Sequence, residues 1–260
     1  MGRVWRWIPL SGIAAWLPGC FHFVAPNDPA IELPPPGAFP HHLLTEVLAA
    51  HVDPDGRIDY AAIQQDRATL DAYLGYVALT SPHSDPQLFP TRDDALAYWI
   101  NAYNALAIQG VIDRPGLESV DDIKVEYFYL TRYQVGGRRL DLYRLENGVV
   151  RSEFDEPRIH FALNCQSMGC PQLPAEAFVP GRLQEQLAQW TRDFVTDPAK
   201  VRVEGGVVHL SQIFEWYASD FEPDGPLAFI NANGGAVPAK AALSYIPYDW
   251  ALIAQEGRGP

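Results

Sequence analysis

The stretch Thr91 to Ile112, TRDDALAYWINAYNALAIQGVI, decides how this chain is organised, because it is long, apolar and free of proline. Leu96, Trp99, Ile100, Tyr103, Ala107 and Gly110 recur at helical spacing and predict one packed helix over 91–112. Asp93 and Asp94 fall in its first turn, where the positive end of the helix dipole favours carboxylates. Asn101 and Asn104, three apart, project from neighbouring places on one face. Two amides inside so apolar a helix cost stability unless they find partners, either backbone groups or the walls of a polar pocket.

Upstream, Leu43, Val47 and Leu48 predict a short helix over 42–51, and Asp53-Pro54-Asp55-Gly56 a turn before a helix from Tyr60 to Ala78. A calcium reading of Asp53, Asp55 and Asp59 fails on Arg57 and Ile58, which stand where a loop of that kind needs an oxygen ligand and a glycine. Pro82, Pro86 and Pro90 mark a loop. Downstream, Lys124–Leu130 and Thr131–Val135 read as strands, with Gly136-Gly137 turning into Arg138–Leu142. A short helix or turn over 142–150, a strand over 159–164 and an amphipathic helix over 184–195 follow. Val201–Val203 and Val207–Leu210 form a second hairpin around Gly205-Gly206, and Ser211 is placed to cap a helix over 212–219. This order lacks a βαβ rhythm and predicts an α+β single domain, a mainly antiparallel sheet packed with several helices.

The first forty residues differ in kind. Arg3 and Arg6 precede an apolar run, Trp7 to Leu17, which is shorter than the ~20 residues that span a bilayer. With Leu17-Pro18-Gly19-Cys20 it reads as an export signal over 1–19 of lipoprotein type, lipidated on Cys20. Six prolines between Ala25 and Pro40 make 20–40 an extended tether, and 41–256 then forms one globular domain. The expectation is an exported protein of the bacterial cell envelope, lipid-anchored or periplasmic, with the membrane as a partner. The net charge of −13 argues against nucleic acid, whose binding needs phosphate neutralisation by Lys and Arg.

The chemistry is concentrated in Arg158-Ile-His-Phe-Ala-Leu-Asn-Cys-Gln-Ser-Met-Gly-Cys-Pro171. Of three cysteines, lipidation of Cys20 leaves Cys165 and Cys170 as an even pair, which an oxidising compartment would close. Such a small disulfide loop contributes about 2 kcal/mol on the chain-entropy estimate. In a strand, His160 and Asn164 share one face and Cys165 the other, which disfavours a direct Cys165–His160 dyad and leaves Cys170 freer to approach. A zinc site from Cys165, Cys170 and His160 lacks a fourth ligand and the usual cysteine spacing, so no metal or cofactor is expected.

Four segments resemble one family. Ala97 to Leu106 (AYWINAYNAL) is similar to the signature helix of the domain of unknown function 547 family, and Pro157 to Pro171 to its His-Phe-Ala-Leu-x-Cys segment. Leu210 to Phe221 (LSQIFEWYASDF) and Tyr248-Asp249-Trp250 resemble two later motifs, so the likeness spans about residues 41 to 253. The chain departs from the pattern at Glu156, where aspartate is usual, and at Asn147, where histidine is common, which removes the basis for a catalytic role at 147. The resemblance implies no reaction.

Two function classes follow. In one, a hydrolase- or transferase-type enzyme gathers Asn101, Asn104, Glu146, Arg151, Arg158, His160 and Asp249 at one site, with His160 as the acid–base group. Its thiol-nucleophile version needs a free, thiolate-prone Cys165 or Cys170. In papain-like and transglutaminase-like enzymes that cysteine opens a helix; here the comparable helix carries asparagines, which ranks the thiol version lower. In the other class, the domain is a non-catalytic binding or scaffold module stabilised by a Cys165–Cys170 disulfide.

Overall fold

The computed structural model describes residues 33–260 and the short strand β1 (Phe23–Val24). The expected leader, Cys20 and most of the tether lie outside the described residues. Helices α1 (His41–His51), α2 (Tyr60–Gln65) and α3 (Ala68–Leu79) pack with α4 (Arg92–Ile112), which is buried continuously from Leu96 to its end. A helix apolar on all sides belongs in a core. Thr91 and Asp94 start α4 as a reciprocal capping box. The single helix expected over 60–78 breaks at Asp66–Arg67, where Arg67 Nη1 reaches Asp113 at the end of α4 (2.7 Å). Asp53 accepts from the backbone N–H groups of Asp55 and Arg57, and Asp59 caps α2, so these carboxylates shape a turn and a helix start.

Strands β2 (Arg132–Val135) and β3 (Arg138–Leu140) form the first hairpin, with Gly136 and Gly137 at φ +53° and +74°. After α5 (Leu142–Leu145), α6 (Arg151–Glu153) and α7 (Leu183–Thr196), the second hairpin joins β4 (Val201–Glu204) to β5 (Val207–Ser211). Helices α8 (Ile213–Trp216) and α9 (Gly225–Ala232) precede β6 (Ala242–Ile246), which pairs with β5 in parallel, as β1 does with β2. The fold is α+β in one domain, but the single, mainly antiparallel sheet is replaced by two small three-stranded sheets, each a hairpin extended by a parallel strand from a distant part of the chain. Ser211 ends β5, and its hydroxyl still accepts from Ile213 N (3.3 Å).

Two expected strands are helical. Residues Glu126–Leu130 form a wide π-type turn, because Tyr127 is buried against Gly110 of α4 and donates to Ala107 O (2.8 Å). A Cβ on Gly110 would lie 2.7 Å from the Tyr127 ring, so α4 needs a glycine there. Residues Pro157–Phe161 form a tight 3₁₀ turn started by Pro157 and the Glu156 side chain. Its residues divide between two apolar clusters. Ile159, Ala162 and Leu163 join the main core around α4, while Phe161 joins Phe194, Phe214 and Phe221 in a smaller one. The 157–163 segment is therefore the seam between the two cores. Among the described residues, no helix is long and apolar enough to cross a membrane.

Candidate functional site

Beyond the seam, residues 164–171 make a compact turn closed by Asn164. Its Oδ1 accepts from Gln166 N and its Nδ2 donates to Pro171 O, both at 2.7 Å. Gln166 is buried with φ +71°, a left-handed conformation that costs a non-glycine residue on the order of 1–3 kcal/mol. Hydrogen bonds overdetermine it: its amide donates to Asn164 O (3.1 Å) and accepts from Tyr60 OH (2.9 Å). The C-terminal segment grips the same turn through Met168 N to Ala251 O, Gly169 N to Asp249 O and Ile253 N to Gln166 O. Gly169 leaves room for the Tyr248 ring, which would stand 2.6 Å from any Cβ there. Half-buried Lys200 donates to Met168 O and Cys170 O, and burial lowers its pKa.

This frame brings the two thiols together. Cys165 and Cys170, expected as a disulfide, carry no S–S bond in this structure, yet their Sγ atoms lie only 2.7 Å apart against the ~2.05 Å of such a bond. Cys170 Sγ receives the Cys165 backbone N–H (3.0 Å) and the Tyr248 hydroxyl (3.1 Å). Burial alone would raise the Cys170 pKa, but hydrogen bonds from the Cys165 thiol, Tyr248 and two backbone N–H groups outweigh it and bring it down to about 7. The Cys165 thiol, penalised by burial and by its neighbour's charge, is pushed up. The pair therefore holds its first negative charge on Cys170.

His160 is buried on the adjoining wall. Its Nε2 meets Asp220 Oδ2 at 2.8 Å, and Arg151 grips both oxygens of the same carboxylate at 2.7 Å. Burial would raise the Asp220 pKa; His160 and Arg151 instead hold it well below the carboxylate range. With Nε2–H donated to the Asp220 carboxylate, the neutral ring carries its lone pair on Nδ1. The ring stacks on Tyr217 (centroids 4.0 Å, 20° between planes). Tyr217 donates a short hydrogen bond to Glu146 Oε1, and burial raises its pKa. Glu146 and Asn147 lie in a second π-type turn, Glu146–Val150, and Asn147 Oδ1 accepts from Arg151 Nη1 (2.6 Å).

These groups line one space. An inner cavity of about 70 Å³ is walled by Tyr103, Glu146, His160, Cys165, Cys170 and Tyr217, among others. It adjoins a wider basin of about 480 Å³ that takes in Lys124, Tyr129, Tyr143 and Arg151, and the two share Phe128, Glu146, Trp216, Tyr217 and Trp250. A narrow pocket with a thiol pair and an oriented imidazole can support nucleophilic and acid–base chemistry. Among the described residues, no group of three His, Cys, Asp or Glu side chains is arranged to hold a metal ion.

Of the residues singled out in the sequence, Glu146, His160, Cys165 and Cys170 line the inner cavity and Arg151 supports it. The others lie elsewhere. Asn101 donates to Phe178 O and His41 Nδ1 and accepts from Phe178 N. Asn104 clamps Ala162 O and Asn164 N, at 2.9 and 2.8 Å, and so braces the backbone just before Cys165. Arg158 turns to Glu156 and Gln184. Asp249 accepts from Ala251 N on the far side of the thiol turn. The strand alternation that separated Cys165 from His160 does not exist, because the 3₁₀ turn rotates successive side chains differently. Sequence reasoning missed Asp220, Tyr217 and Tyr248, although all three stand inside the quoted motifs at 210–221 and 248–250.

A family model described as "Protein of unknown function, DUF547" matches residues 88–195, from the start of α4 through the thiol turn to α7. No curated protein and no solved structure matches the chain. The match covers the helix that braces the site and the segment that carries His160 and both thiols, so this central part of the chain is similar to the DUF547 family.

Proposed function

We propose that the inner cavity is the active centre of a hydrolase- or transferase-type enzyme that works through a thiol. One observation carries the reading: Cys170, drawn down to about 7, and His160, oriented by Asp220, line the same narrow cavity. His160 Nδ1 takes the thiol proton as Cys170 sulfur attacks an ester or amide carbonyl; the S–C bond forms and the carbonyl π pair moves to oxygen. Collapse expels the alkoxide or amine, which takes a proton from His160 Nδ1. Water or an acceptor hydroxyl or amine then attacks the thioester, His160 takes its proton, and the thiol is released. Asp220 stays ionised and holds the imidazole. The leader motif around Cys20 supports an envelope location for this activity.

The test uses the reduced chain and p-nitrophenyl acetate. An acyl-enzyme on Cys170, seen by intact mass, and loss of the burst in Cys170→Ser and His160→Ala are expected. A burst unchanged in both variants would overturn the reading. The sulfur separation of 2.7 Å favours a second reading, a binding or scaffold module locked by a Cys165–Cys170 disulfide. Alkylation of the unreduced, denatured protein separates the two: two labelled thiols leave the enzyme reading in place, and none favours the scaffold.

A further inference from the structure

Glu146 stands apart in the charge pattern of the basin. Lys124 is paired with Asp121 and already lies over the Trp250 ring, 3.8 Å from its centroid. Arg151 is held by Asp220 and Asn147 through three N–H bonds, and it acts on Glu146 through its charge without bonding it. Glu146 has only the neutral Tyr217 hydroxyl on Oε1; its Oε2 has no hydrogen-bond or ion-pair partner among the described residues, although the residue is only 8% exposed. It lines both the inner cavity and the basin, so the open oxygen belongs to their junction. A carboxylate this buried gains from a cation bonded directly to its open oxygen, which neither Tyr217 nor the more distant charge of Arg151 supplies.

The surroundings are aromatic. Tyr129, Tyr143 and Trp216 are exposed to 45%, 45% and 44%, and Tyr129 and Tyr143 pack together at 4.8 Å. Rings of this kind attract cations through the negative charge of their faces, as Trp250 and Tyr217 already do for Lys124 and Arg151. The net charge of −13 adds a long-range pull on cationic ligands. An anionic ligand would meet an unpaired carboxylate and two cations that are already neutralised.

We infer that the junction of cavity and basin receives an alkylammonium group, so that the substrate of the thiol site is an ester or amide bearing a cationic amine bound by Glu146 Oε2. The inference rests on the catalytic reading for the word substrate, but the ammonium site itself does not need turnover. The full chain is titrated with n-butylammonium chloride and with 1-butanol at constant ionic strength, following tryptophan fluorescence, with Trp216→Leu assigning the signal. Saturable binding of the ammonium, at least about tenfold weaker for the alcohol and in Glu146→Gln, is expected. Gln retains an acceptor for Tyr217, and circular dichroism checks its fold. In a second arm the reduced chain hydrolyses p-nitrophenyl 6-aminohexanoate about tenfold faster than the hexanoate ester, and Glu146→Gln removes the preference. Equal binding of alcohol and ammonium, or an affinity unchanged in Glu146→Gln, overturns the inference. Two inert esters with intact ammonium binding would instead sink the catalytic reading alone.

Discussion

Helix α4 serves two buried polar clusters of similar composition and opposite character. At Asn101 both amide atoms are used, joining α4 to His41 at the start of α1 and to the backbone at Phe178. Burial holds His41 at about 4, so it stays neutral and accepts from Asn101. One turn on, Asn104 clamps the chain just ahead of a cluster that is not closed: His160 and Glu146 line a cavity, and among the described residues no hydrogen bond is made by His160 Nδ1 or Glu146 Oε2. A satisfied cluster holds the fold together, while an unsatisfied one beside a cavity waits for a ligand.

The largest expected effect breaks the open cluster. His160→Ala should lower p-nitrophenyl ester turnover by ~10²–10⁴, the usual contribution of a general acid–base, with little change in melting temperature. A collapse in stability with the rate per folded molecule unchanged would make the two clusters alike. The converse variant, Asn101→Ala, removes three hydrogen bonds and should cost roughly 3 kcal/mol in urea unfolding, leaving thiol reactivity of the folded protein intact.

Acid should act on the closed cluster. His41 ordinarily titrates at 6.5 and is held at about 4 here, so the unfolded chain binds its proton first. Its contribution is complete above pH 6.5, erodes as pH falls towards 4 and is gone below. The size is on the order of 3 kcal/mol, read as urea midpoints across that window. His41→Gln should flatten this limb; an unaltered slope would place the acid sensitivity elsewhere. In the open cluster, iodoacetamide labelling of reduced Cys170 should rise with a midpoint near 7 rather than 9. Tyr248→Phe, which deletes one donor to the thiolate, should move that midpoint up by about one unit or less. The smallest effect belongs to Arg158→Ala: about 0.5 kcal/mol of stability from a partly exposed ion pair, and no change in labelling rate.

Local pattern carried much of this molecule. The apolar run in α4, its Thr91–Asp94 cap, the two glycine-pair hairpins and the α+β class are legible because each depends on neighbours within a few residues. His160, Cys165 and Cys170 stood out by their chemistry, and the segment around them lies inside the stretch that matches the DUF547 model. Propensity misread 124–130 and 159–164 as strands, since Tyr127 packing against Gly110 and Asn104 binding the 162–164 backbone override a β-rich composition. Nor could spacing separate Asn101 from Asn104, which share a helix face yet meet different partners, Phe178 and Ala162. Asp220 lies 60 residues from His160 and Tyr248 lies 78 from Cys170, so their pairing exists only once the two cores meet at the 157–163 seam. Chain periodicity reports which side of an element is apolar; it carries no information about which distant side chain will stand 3 Å away across a packed interface.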